Sequence, residues 1–121
     1  MAFFADNKAL RTYDPERGLE FKTASVGSDG GHTFTIHRIG NPSDVVGGVT
    51  AYLEVRKPTD EERSVHPEAE DFCLWVITGG GHLKGYSLEE AKAIVREAMT
   101  AFRVVHGAPL DGSKSLFDVK L

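Results

Sequence analysis

From Leu88 to Val105 the apolar positions of the chain recur at helical spacing. Leu88, Ala91, Ile94, Val95, Ala98, Phe102 and Val105 fall within an arc of about 120°, a stripe wide enough to face a core. Ser87 and Glu90 form an S-x-x-E capping box, in which each side chain accepts from a backbone N–H of the open first turn. Glu89 and Glu90 also suit the positive end of the helix dipole. Gly107 stands where a left-handed C-terminal cap is wanted, and Pro109 stops the helix from resuming. Together these signals predict one helix over about 87–106.

The pattern before that helix has the period of strands. Val49, Ala51, Leu53 and Val55 alternate with Thr50, Tyr52, Glu54 and Arg56, as in an antiparallel strand with one buried face. Gly47 and Gly48 at its start suggest a bulge or a close backbone approach. Thr33 to Ile39 is rich in β-branched residues, with Phe34 and Ile36 on one face. Ala9 to Val26 reads as a hairpin about the turn Asp14-Pro15-Glu16-Arg17-Gly18, in which proline presets φ and aspartate bonds its own backbone. Asn41-Pro42-Ser43-Asp44 is expected to be a further turn. Phe72 to Ile77 is a continuous apolar run containing Trp75, which implies burial on both faces. Residues 57–71 form a polar loop with one helical turn at Thr59-Asp60-Glu61-Glu62, and 110–121 a C-terminal arm or short strand.

These elements predict a single α+β domain over 1–121: an antiparallel β-meander of about four to five strands packed on one face by a single long α-helix. One helix cannot cover both faces of a sheet. The terminal segments or a second copy of the chain must then seal the other, and a homodimer is expected.

Composition narrows the class rather than naming it. With 121 residues, 40% hydrophobic and 26% charged, the chain is an ordinary globular domain. A single cysteine, Cys73, excludes an intrachain disulfide and suits the cytoplasm; set in an apolar run, it reads as a buried, inert thiol. No apolar run reaches the ~18–20 residues of a membrane helix, so no membrane partner is expected. The formal net charge of −4 argues against bulk binding of nucleic acid, though a local basic patch keeps that reading as an alternative.

Three groups of residues carry candidate chemistry. Thr78 to Ser87 joins a strand to the helix through glycines, and Gly80, Gly81, His82 and Lys84 would hold a small anion there. It is not a Walker motif, because Lys84 precedes Gly85 instead of following it. On the helix, Lys92, Arg96 and Arg103 lie within about 40° of one another beside the apolar stripe, a basic edge fit for an acidic partner or phosphates. Among the loop residues, Glu68, Glu70 and Asp71 with His66 offer acid–base groups, but no serine or cysteine has the setting of a nucleophile. The five histidines, His32, His37, His66, His82 and His106, show no zinc-site spacing. No metal and no cofactor is expected.

The leading expectation is a non-enzymatic binding or regulatory protein, dimeric, meeting a protein partner along Lys92, Arg96 and Arg103 and the 57–71 loop. One alternative is a small-ligand or anion site at the 79–87 glycine segment, which as an enzyme would use His37 or His82 as acid–base. Another is nucleic-acid binding along the basic helix edge.

Overall fold

The computed structural model describes residues 3–6, 8, 11–28, 30–106 and 115–121. Strands make up 55% of it and build one curled sheet. In chain order the strands are β1 (Phe4–Asp6), β2 (Arg11–Asp14), β3 (Leu19–Val26), β4 (His32–Arg38), β5 (Asn41–Arg56), β6 (Asp71–Leu83) and β7 (Ser115–Lys120). Helix α1 (Asp60–Val65) lies between β5 and β6, and α2 (Leu88–His106) between β6 and β7. Spatial order follows chain order across all seven strands. The first six pair antiparallel with their neighbours, whereas β7 pairs parallel with β6, from Asp71↔Ser115 to Val76↔Lys120. A parallel pair needs a crossover, and α2 supplies it.

Helix α2 packs against β6 and also against β1 and β2, near the opposite edge of the sheet. One rod can touch both regions only if the sheet wraps around it. Ala91, Ile94, Val95, Ala98 and Met99 are buried under that wrap, each larger side chain contributing about 1.5–3 kcal/mol. Phe34 sits among Phe21, Trp75 and Phe102, with ring centroids 5.0, 5.7 and 5.2 Å away. Phe34 is thus the centre of an aromatic cluster in the core.

The capping box is in place: the Ser87 amide donates to Glu90 at 3.1 Å and the Glu90 amide to Ser87 Oγ at 3.2 Å. These bonds hold the Glu90 carboxyl below its ordinary value. Leu88, expected in the buried stripe, is instead exposed. Gly107 and Pro109 lie outside the described residues, as does the side chain of Val105.

The expected fold class is corrected on four counts. Seven strands replace four to five, the sheet is mixed rather than an antiparallel meander, it curls, and a second helix joins α2. Asn41 to Asp44 is no turn but the start of a 16-residue strand. The reversal falls at Ile39–Gly40, where Gly40 takes φ +78° and Arg38 pairs with Asn41. Pro42 is tolerated because β6 pairs with β5 no nearer than Gly47, leaving that stretch of β5 an edge. The glycines after Thr78 likewise continue β6 to Leu83 instead of forming a loop. A Cβ on Gly80 would collide with the Gly48 carbonyl oxygen, and one on Gly47 with that of His82. Gly80 and Gly47 therefore serve a close strand crossing at the register shift of β5 on β6. The second helix grows from Thr59, whose side chain and Glu62 complete a capping box.

The apolar run of β6 divides by parity. Cys73 and Trp75 point under α2 and are buried, while Phe72, Leu74 and Val76 face outward and are half-buried. Among the described residues no helix is long and apolar enough to cross a membrane.

Candidate functional site: a groove between α2 and the β7 edge

Arg96, Thr100 and Arg103 follow one another at i, i+4 and i+7, so they share one flank of α2. That flank faces β7, and the two enclose a groove of about 530 Å³. His66, Glu68 and Ala69, from the segment between α1 and β6, close one end of it. The groove thus unites two of the three basic helix residues with the polar loop, as well as the whole inner edge of β7.

Side-chain bonds bridge the groove. Arg96 Nη1 donates to Asp118 Oδ1 at 3.0 Å, with both side chains about half exposed. Asp118 Oδ1 also accepts from the Val119 amide at 2.7 Å. Arg103 Nη2 donates to the Ser115 carbonyl at 2.9 Å, and its guanidinium lies 4.7 Å from the centre of the Phe117 ring. Later helix residues meet earlier strand residues, so α2 runs antiparallel to β7.

Little in this groove can do covalent chemistry. The Thr100 hydroxyl donates to the Arg96 carbonyl at 2.8 Å and is turned into the helix. Burial pushes the Cys73 thiol up, an effect opposed in part by Arg103 and by a hydrogen bond with Ser115. A raised thiol is a poor nucleophile. His66 and Glu68 line the groove, but Asp71 is paired with Lys57 at 3.3 Å. The groove presents two guanidiniums, the Glu68 and Asp118 carboxylates, an aromatic face and strand backbone.

The remaining expected site residues disperse. Lys92 lies one turn before Arg96, where β7 has run out, and joins Gly80, Gly81 and Leu88 around a separate cavity of about 220 Å³. His82 and Lys84 do not line it; both are exposed, and the Lys84 amide donates to the Val46 carbonyl at 3.0 Å. The four anion-site candidates are therefore not gathered into one cradle. His37 is buried on β4, its Nδ1 bonded to the Arg38 carbonyl at 2.9 Å, in neither cavity. His32 packs edge-on to Trp75 at 5.1 Å. Among the described residues no three His, Cys, Asp or Glu side chains are placed to hold a metal ion.

Sequence reasoning missed Thr100, Ser115, Phe117 and Asp118 as groove residues. Residues 110–121 read as a C-terminal arm or short strand, and the neighbour of that strand depended on where the crossover returned. No protein-family model, curated protein or solved structure matches this chain.

Proposed function

We propose that this chain is a non-enzymatic binding protein of the cytoplasm that holds an acidic polypeptide segment in the groove between α2 and β7. The observation that carries this reading is the convergence of Arg96 and Arg103 on one wall with strand backbone on the other. Guanidiniums recognise carboxylates through paired, directed N–H bonds, and they gain most where water is partly excluded. The groove's volume suits a few side chains of one segment. Cys73 as a lone buried thiol supports the reducing compartment.

A displayed library of random peptides selected against the protein tests the reading. Enriched sequences should be rich in Asp and Glu, and Arg96→Glu with Arg103→Glu should weaken them by tenfold or more. Enriched peptides that bind the double variant as tightly as the parent would contradict it.

A homodimer belongs to the same reading, because Phe72, Leu74 and Val76 place a half-buried apolar row on the outer face of β6. Sedimentation should then give twice the 13.2 kDa chain mass, and the single mass would remove the dimer without touching the groove.

A further inference from the structure

We infer that the groove takes its peptide as an eighth strand, added to the free edge of β7. The inference rests on the binding reading above and supplies its mode. Among the described residues, strand β7 is the last of the sheet and pairs with β6 on one side only. Along a strand, the N–H and C=O of one residue point to one side and those of the next to the other. Two contacts fix which side is which. The Val119 amide is bonded by the Asp118 carboxylate, and the Ser115 carbonyl by Arg103, so both groups face away from β6. Phe117, midway between them, has the same parity. Among the described residues no bond from outside the ladder reaches its N–H or C=O.

The free edge therefore presents a period-two row of backbone groups at Ser115, Phe117 and Val119, opening into the groove. Side chains cover the ends of the row and leave the middle open. An incoming strand would replace the Asp118 carboxylate at Val119 and the Arg103 guanidinium at Ser115 with its own carbonyl and amide. The Arg96–Asp118 contact is half exposed and of modest strength, so it exchanges easily, whereas the Arg103 bond to Ser115 is part-buried and must be matched by the partner's own amide. Displaced from β7, Arg96 and Arg103 become donors for the partner. They stand seven residues apart on α2, about 10.5 Å at helical rise. Same-side residues of a strand recur at about 6.8 Å, so the partner is an extended segment with acidic side chains two or four positions apart on its α2-facing side.

The test N-methylates, one position at a time, a peptide selected as above. Strand addition predicts losses of tenfold or more at alternate positions and no loss between them. It also predicts that Asp118→Ala, which uncovers the Val119 amide and releases Arg96, binds the same peptide about threefold to tenfold tighter. Affinity that depends on Arg96 and Arg103 but shows no period-two pattern would overturn the strand mode and leave the acidic groove standing. Loss of the arginine dependence would instead remove the binding reading itself. An Asp118→Ala chain that doubles in mass and binds no peptide would assign the edge to a second copy and sink the inference.

Discussion

Two corners of this molecule join a strand to α2 with arginine and carboxylate, and they differ in burial. At the β2–β3 turn, Asp14 is wholly buried and accepts from the Glu16 amide at 3.0 Å, the Arg17 amide at 3.1 Å and Arg17 Nη1 at 2.9 Å. The same Arg17 nitrogen reaches Glu97 of α2 at 2.8 Å. At the β7 edge, Arg96 and Asp118 make a bond of similar length, 3.0 Å, but both side chains stand half in water. Removing one partner of a buried pair strands a charge and its donors; removing one of an exposed pair lets water take its place. The same chemistry is thus a staple in one corner and an openable latch in the other. The latch is where the proposed partner would enter.

The largest effect expected from breaking this contrast is at Asp14. Asp14→Ala should cost about 2–3 kcal/mol, since two turn amides lose a buried acceptor while the partly exposed Arg17 keeps Glu97. Urea unfolding should show a lower midpoint with an unchanged slope. Next comes Glu97→Gln, which keeps the shape but removes a charge from a partly exposed contact, at about 1 kcal/mol in the same assay. Asp118→Ala should change stability by less than about 0.5 kcal/mol. If Asp14→Ala and Asp118→Ala proved equally costly, the distinction between staple and latch would be wrong.

The smallest effect is one of pH, at α1. Bonds from Arg56, followed by the Thr59 amide, pull the Glu62 carboxyl from 4.5 down to about 2. A depressed carboxyl contributes stability that is present above its unfolded value and lost as pH falls through the folded one. The contribution of this cap should therefore be intact above pH 4.5 and fade toward about 2. A proton titration followed at the Glu62 side chain by NMR should show the low midpoint. A midpoint near 4.5 would mean the cap does not persist in solution.

These contrasts also mark what the sequence could and could not reveal. Helix α2 was readable because its period, its capping box and its acidic first turn all lie within one local segment. The Asp14 turn was readable for the same reason: aspartate accepts from the two amides just ahead of it. Gly79 to Gly81 misled, because glycine serves a loop and a close strand crossing equally well, and only the Gly48 carbonyl opposite decides between them. The basic edge divides between two cavities. Lys92, Arg96 and Arg103 share a helix face, but α2 runs antiparallel to β7, which ends before Lys92. Angular position alone could not separate the two cavities. The β7 edge was the least legible, since it exists only through parallel pairing of residues more than forty positions apart.

If the edge of β7 opens to an extended chain, the amide in the middle of that edge must change state on binding. Amide hydrogen exchange of Phe117, measured by NMR with and without a groove-selected acidic peptide, tests it most directly. Phe117 should exchange fast in the free protein and at least tenfold more slowly in the complex, with a smaller change at Val119, whose amide Asp118 already holds. A Phe117 amide that exchanges at the same rate in both, while the peptide is bound, would contradict it.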